Sequence, residues 1–254
     1  PGMSVLRMSF PDGEAVVEVI PETAKLNINT CRPENLLRLL VALGMDPSAA
    51  QSLVDAILDW RTPRGEMGPF DAFYLGQDPS FRARHASFEE IEELLLVRGM
   101  TPGLFYGSYD PAPESPGVPA RLIPRGGLRD CVSVYGATDR FDVNTAHPAV
   151  LAAAGVPPEV IAMIVEQRRV KPFTMEDLGN MAQPGATWLG RLRVGGTSMF
   201  TLRATARLRQ QNGKLSDLRR SVGALIKLKP KNSDAPYHIL RWYDFLWSTT
   251  PPLF

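Results

Sequence analysis

The sequence has few of the residue types that most enzymes use for catalysis. It contains two cysteines and three histidines among 254 residues, and the histidines lie far apart, at positions 85, 147 and 238. It has no Gly-x-Ser-x-Gly nucleophile motif, no Gly-x-x-x-x-Gly-Lys phosphate-binding loop and no Cys-x-x-Cys pair. These absences argue against hydrolytic, nucleotide-dependent and dithiol redox chemistry. We therefore expect neither an enzyme nor a cofactor.

Long apolar runs and a large net charge are also missing. No stretch approaches the roughly 20 apolar residues that a membrane-spanning helix requires, and 28 basic residues nearly balance 27 acidic ones. The balance is uneven along the chain, because Asp217 is the one acid among eleven Lys and Arg residues in 190–231. We expect cations such as Arg203 to form a solvated strand face. An electrostatic surface for an acidic partner or for anionic lipid headgroups is the alternative.

The two cysteines, Cys31 and Cys131, each lie near one of two repeated segments. Their matching placement makes them candidates for a disulfide, which would contribute up to about 4–5 kcal/mol in the chain-entropy model. Sequence spacing does not show whether two Cα atoms are close enough for a bond. Two buried free thiols are the alternative.

A short phrase occurs twice in the chain, and each copy is typical of a helix start. The first copy is Leu-Asn-Ile-Asn-Thr at 26–30, and the second is Phe-Asp-Val-Asn-Thr at 141–145; each is soon followed by proline. Asn and Thr can accept hydrogen bonds from the free amides of a first helical turn, where proline has no amide to satisfy. We expect Asn29 or Thr30 to cap the first helix and Asn144 or Thr145 to cap the second, which gives these residues a structural role.

In each repeat a glycine separates two stretches with helical apolar spacing. Gly44 and Gly155 hold these positions, and the second stretch ends at Arg61 or Arg168. Glycine allows the chain to turn from one helix into the next. The sequence therefore predicts two helix-hairpin-helix (SAM-like) units, at about 25–108 and 141–182, joined by a Pro/Gly-rich linker.

Alternating apolar and polar residues at both ends of the chain predict strands. An Asp-Gly turn at 12–13 separates two β-branched runs near the start, and the alternation returns after Gly190, with a last strand near 238–245. The simplest topology is an α+β fold. Its antiparallel sheet is formed by 1–24 and 191–254, with an α-helical domain inserted at 25–190. Small residues at 204, 206 and 224 indicate that a helix covers the apolar side of this sheet.

The order of these motifs resembles general secretion pathway protein K, the large minor pseudopilin of the bacterial type II secretion system. The resemblance covers most of the chain. It depends on Lys-Leu-Asn-Ile-Asn at 25–29, Leu-Val-Ala-Leu-Gly-Met at 40–45, Asp-Ala-Ile-Leu-Asp-Trp at 55–60, Phe-Arg-Ala at 81–83, Val-Asn-Thr-Ala at 143–146 and Val-Leu-Ala at 150–152.

The resemblance implies a pilin-like fold with an N-terminal membrane helix that is absent here. It also implies a non-enzymatic subunit at the tip of the pseudopilus, on the periplasmic side of the inner membrane. The implied partners are the minor pseudopilins I and J, with contact to secreted substrate as a further option. Membrane contact would be made only through the absent helix.

The resemblance further implies a calcium-binding loop, for which the candidate ligands in this chain are Asp59, Glu66 and Asp71. Calcium binds six to eight oxygens, and the guanidinium groups of Arg61 and Arg64 would oppose it. A loop held by Arg–carboxylate pairs is therefore the alternative to calcium.

Nucleic-acid binding is the main competing function, because helix-hairpin-helix units often bind phosphates through backbone amides of the hairpin. In this chain Pro47, Pro157 and Pro158 remove such donors, and Asp46 would repel a phosphate. We therefore prefer an assembly subunit that binds no nucleic acid.

Overall fold

The computed structural model describes residues 4–111, 122–136, 139–182, 184–195, 198–230 and 232–244. Within these ranges, none of the helices combines the length and the apolar character needed to cross a bilayer. By its internal packing the chain divides into two compact units. We name them the sheet unit (1–24, 140–146 and 162–254) and the helical unit (25–139 and 147–161).

The described residues form eleven strands, eight α-helices and three short 3-10 helices. The strands are β1 (Ser4–Phe10), β2 (Gly13–Pro21), β3 (Leu26–Asn27), β4 (Ser108–Pro111), β5 (Leu122–Arg125), β6 (Val132–Ser133), β7 (Phe141–Asp142), β8 (Leu192–Arg193), β9 (Met199–Leu208), β10 (Arg220–Leu228) and β11 (Tyr237–Tyr243). The α-helices are α1 (Pro33–Ala42), α2 (Pro47–Arg61), α3 (Asp71–Leu75), α4 (Pro102–Tyr106), α5 (Leu128–Cys131), α6 (Pro148–Ala153), α7 (Pro158–Val170) and α8 (Met175–Asn180), and short 3-10 helices span Glu22–Ala24, Ile91–Leu96 and Thr187–Arg191.

The sheet unit contains a five-stranded antiparallel sheet in the order β1-β2-β9-β10-β11. The predicted antiparallel sheet is therefore confirmed, and strands from both ends of the chain form it. The β1–β2 hairpin turns at the Asp-Gly pair, with Phe10 opposite Gly13. At the centre β2 pairs with β9 along its whole length, from Gly13 opposite Leu208 to Pro21 opposite Phe200.

The polar face of this sheet is the buried one. Arg203 lies opposite Glu18 in the β2–β9 register, and both are only 7% exposed. The Arg203 guanidinium contacts both carboxylate oxygens, with Nη2 donating to Oε1 over 2.8 Å. Beside this pair the hydroxyls of Thr205 and Ser221 are 2.8 Å apart. The expected solvated position of Arg203 is wrong, because its guanidinium forms a buried ion pair.

The helical unit has its core between amphipathic helices. The apolar residues of α1 and α2 recur at helical spacing and are buried, and α1 packs against both α2 and α6. At the end of α2 the ring of Trp60 contacts Tyr74 edge to face, with centroids 5.2 Å apart, and is stacked 6.3 Å from Phe88. These rings hold the segment after α2 against the core.

The predicted linker between the repeats lies largely outside the described residues. The strands on either side of residues 112–121, β4 and β5, pair antiparallel within the helical unit.

Candidate functional site

The exposed face of the sheet is apolar. The registers place large apolar side chains on it: Leu6 52% exposed, Met8 45%, Phe10 52%, Ile239 54% and Trp242 56%. We name these side chains and their neighbours on the same side of the sheet the apolar face. Soluble proteins rarely leave such a large contiguous patch open, and patches of this kind usually mark contact with another polypeptide.

A shallow groove crosses the apolar face between β9 and β11. Its volume is about 320 Å³. The residues that line it are Leu202, Ala224, Ile226, Tyr237, Ile239 and Trp242. The small side chain at the centre, Ala224, allows another backbone to approach, while the large ones on β11 form a wall. This shape and chemistry fit an apolar helix better than a polar ligand.

Each compact unit contains one copy of the same asparagine contact. In the helical unit, Asn29 donates from Nδ2 to the carbonyl of Phe88 over 2.9 Å and accepts at Oδ1 from the Phe88 amide over 2.7 Å. In the sheet unit, Asn144 makes the same two bonds with Phe173, over 3.0 and 2.7 Å. A side-chain amide thereby pairs with a complete peptide group, and a long-range connection is made twice.

An arginine completes each copy. Arg61, at the end of α2, donates to the carbonyls of Ile28 and Cys31. Arg168, near the end of α7, donates to those of Val143 and Ala146. These carbonyls occupy equivalent places in the two phrases. In both copies, therefore, the asparagine of the phrase binds a distant segment, and backbone carbonyls of the phrase accept hydrogen bonds from one arginine.

The predicted helix caps are wrong. The residue before α1 is Arg32, which makes no side-chain cap, and the residue before α6 is His147, whose Nδ1 accepts from the Ala149 amide over 3.2 Å. Thr30 is exposed, and the Thr145 hydroxyl donates to Asp142 over 2.9 Å. Asn29 and Asn144 do not cap these helices, because their side chains bond the peptide groups of Phe88 and Phe173 instead.

The predicted hairpin glycines adopt the conformation that requires glycine. Gly44 has φ +90° and Gly155 has φ +85°, both in the left-handed region. Any larger residue would be strained at either turn.

The candidate metal ligands Asp59 and Asp71 come together with a residue that the sequence did not indicate, His85. One ligand atom from each lies within 4.8 Å of the other two. Glu66, the third predicted ligand, is exposed and is not a member of this cluster. His85 is 26 residues from Asp59 and 14 from Asp71, so no local spacing could connect it to them.

Both nitrogens of the His85 ring face oxygen atoms. Nδ1 is 3.0 Å from the carbonyl oxygen of Asp59, and Nε2 is 2.9 Å from Oδ1 of Asp71. Burial by itself lowers the pKa of His85, but the hydrogen bonds to Asp71 and Asp59 outweigh it, and the pKa is raised. The pKa of Asp71 is lowered: burial opposes this, but the Gly68 amide and His85 favour its charged form.

Asp59 is a deeply buried carboxylate. Its side chain is 2% exposed, and Arg64 Nε lies 2.9 Å from Oδ1. Neither carboxylate oxygen accepts a well-aligned hydrogen bond from the described residues, so the contact with Arg64 is an ion pair. Gly68 packs directly on this carboxylate, because a Cβ there would lie 2.7 Å from Oδ1.

The candidate disulfide between Cys31 and Cys131 is not formed within the described structure. Both residues are free and buried, as the alternative interpretation proposed. Burial raises the pKa of both thiols. They are therefore packing residues with little thiolate character.

The fold and these sites define a class: an α+β subunit whose open apolar face fits it for assembly with other polypeptides. Residues 21–106 match the family model described as Type II secretion system (T2SS), protein K. The resemblance to protein K that the sequence predicts is confirmed.

Two curated relatives and a solved structure agree with this family. The chain is similar to Type II secretion system protein K of Pseudomonas aeruginosa, with 30% identity over 179 residues, covering 65% of this chain and 47% of the relative. It is also similar to the protein of the same name from Klebsiella pneumoniae, with 26% identity over 183 residues, covering 65% and 49%. The chain thus spans about half the length of the curated relatives it matches.

The fold is similar to a chain in the crystal structure of the GspK-GspI-GspJ complex from enterotoxigenic Escherichia coli. The TM-score is 0.63 at 17% sequence identity, over 94% of this chain and 82% of that one. At this identity the similarity concerns the fold alone.

Proposed function

We propose that this chain is the periplasmic part of a minor pseudopilin that acts at the tip of the type II secretion pseudopilus. In this role it has no enzymatic activity. It assembles with other minor pseudopilins to initiate the filament and support protein export. The observation that carries the proposal is the open apolar face, in a chain similar to protein K.

The partners that we propose are the minor pseudopilins I and J. The support is the fold similarity to a complex whose title names GspK, GspI and GspJ. The chain's own contribution to the assembly would be its surfaces.

We also propose that an apolar N-terminal helix, preceding this chain and anchored in the inner membrane, packs along the apolar face. Ala204, Ala206 and Ala224 leave room for a helix backbone, and Leu6 and Trp242 lie toward the two edges of the sheet. Fully burying one large apolar side chain contributes about 1.5–3 kcal/mol. Covering several of them would therefore bind a helix firmly.

The two repeats are proposed as helix-hairpin-helix units within an inserted domain at 25–190, with a packing role. In the first hairpin the amides of Ser48 and Ala49 donate to Asp46 Oδ1 over 2.9 and 3.1 Å, and those of Gly44 and Met45 donate to α1 carbonyls. The Asp46 carboxylate occupies the place that a phosphate would need.

In the second hairpin the turn amides are also bonded. The amides of Gly155 and Val156 donate to the carbonyls of Ala152 and Leu151, over 2.9 and 3.1 Å. Pro157 and Pro158 have no amide hydrogen. These turn amides between the paired helices are therefore already bonded in both hairpins, which disfavours the competing nucleic-acid function.

Co-purification tests the proposal directly. The tagged chain is co-expressed with the periplasmic domains of pseudopilins I and J from the same genome, and a stable ternary complex in gel filtration is the expected result. Duplex DNA at low salt serves as the second arm. Retention on DNA together with no pseudopilin complex would reverse the assignment.

A further inference from the structure

The loop between α2 and His85 contains the acidic residues for which the resemblance implies calcium. Calcium takes six to eight oxygen ligands at 2.3–2.6 Å. The described cluster supplies the oxygens of only two carboxylates, since Glu66 lies outside it. The other polar groups against these carboxylates are donors: the Gly68 amide, 2.8 Å from Asp71 Oδ2, the Arg64 guanidinium and the His85 ring. The residues present do not fit calcium.

The carboxylates of the cluster have partners within the protein. The His85 ring bridges the carbonyl oxygen of Asp59 and the carboxylate of Asp71, over 3.0 and 2.9 Å. The Arg64 guanidinium supplies a positive charge against Asp59. Each carboxylate thus already faces a nitrogen-bearing side chain at the place where an ion would bind.

Burial makes a positively charged partner for Asp59 necessary. A carboxylate that is 2% exposed, as Asp59 is, destabilises a fold strongly unless a positive charge compensates it. Arg64 is 36% exposed, so its guanidinium lies between the buried Asp59 carboxylate and solvent. A divalent cation there would be repelled by Arg64.

We infer that Arg64 and His85 take the place of a bound divalent cation, so that the segment 59–85 is held by the Arg64–Asp59 ion pair and the His85 hydrogen bonds and folds without calcium. Removing Arg64 would then leave a buried carboxylate that calcium can partly neutralise. This inference does not depend on the proposed role in secretion.

The first test uses the unaltered chain. After chelation with EDTA and removal of the chelator, its Tm is measured at neutral pH in metal-free buffer and with excess CaCl2. We expect the two values to agree within about 1 °C, because a ligand that does not bind the native state does not stabilise it. A rise of several degrees with calcium, or with Mn²⁺ or Zn²⁺ in the same assay, would overturn the inference.

Variants provide the second test. Arg64→Met is expected to lower the Tm by roughly 3–8 °C in metal-free buffer and to regain part of the loss with CaCl2. Arg64→Lys retains the charge and should lose less, with no calcium response. Arg82→Met removes an exposed arginine of the same loop, and it should change neither the Tm in metal-free buffer nor the Tm with CaCl2. An Arg64→Met protein as stable as the original would contradict the inference. Should that variant fail to fold, the calcium comparison on the unaltered chain still decides.

Discussion

At the scale of single residues, Asn144 shows how much one side chain can connect. Its side chain satisfies both the amide and the carbonyl of Phe173, 29 residues away, and it is only 7% exposed. Without it, two backbone groups would lack these hydrogen bonds. An unsatisfied buried polar group costs about 1–3 kcal/mol.

We therefore predict that Asn144→Ala lowers the free energy of unfolding by about 2–4 kcal/mol, measured by urea denaturation followed by circular dichroism. Asn144→Asp should be at least as damaging, because a carboxylate cannot donate to the Phe173 carbonyl. Asn180→Ala, at an exposed helix end, is the control and should stay within about 0.5 kcal/mol of the original chain. Equal losses of unfolding free energy at both positions would show that the contact with Phe173 stabilises the protein no more than an exposed helix end does.

The two cysteines lead to a second prediction at this scale. Because burial raises the pKa of Cys31 and Cys131, the thiolate that reacts with aromatic disulfide reagents should be scarce at neutral pH. We expect almost no labelling of the native protein, and two thiols per chain in urea without a reductant. Intact mass measured without reduction provides the check. Fewer than two thiols in urea would indicate a bond between them.

At the scale of elements, the central strand pair β2–β9 depends on its buried ion pair. Arg203→Met leaves the Glu18 carboxylate buried without its partner, and we predict a loss of about 3–5 kcal/mol in unfolding free energy. The double variant Arg203→Met with Glu18→Leu should recover most of this loss, since it removes both charges. The coupling energy is obtained from a double-mutant cycle in urea. If the double variant is as unstable as the single one, the pair acts through packing alone.

Alternation in the strands predicted the sheet and its two faces, and the structure agrees. It could not predict which face is solvated. Arg203, on the polar side, is buried, whereas Ile239, on the apolar side, is 54% exposed. Burial depends on which other part of the protein packs against a strand. The alternation of residues along the strand carries no information about that partner.

The glycines of the hairpins were predictable because left-handed backbone is a local property. The partners of Asn29 and His85 were not. Asn29 bonds Phe88 across 59 residues, and His85 bonds Asp71 across 14. Long-range polar contacts have no short-range signature, so the local pattern of the phrase predicts a helix cap instead.

At the scale of the whole molecule, the apolar face should make the isolated chain bind hydrophobic probes. We predict strong fluorescence of anilinonaphthalene sulfonate with the native protein, reduced in Ile239→Asp with the Tm unchanged to within about 2 °C. His238→Asp, one residue away on the opposite side of β11, is the matched control and should leave the fluorescence unchanged. Equal reductions in both variants would place the probe elsewhere.

The pairing of Gly13 with Leu208 also determines the order in which this protein can acquire its structure. The β1–β2 hairpin is synthesised before its main neighbour β9, which follows some 195 residues later, after both repeats. Contacts so distant in the chain form slowly, because a long loop must close before they contribute. The helices can therefore fold while the edge of β2 that β9 will occupy is still unpaired. A factor that binds this edge of β2 until β9 has been synthesised should raise the yield of correctly folded chains.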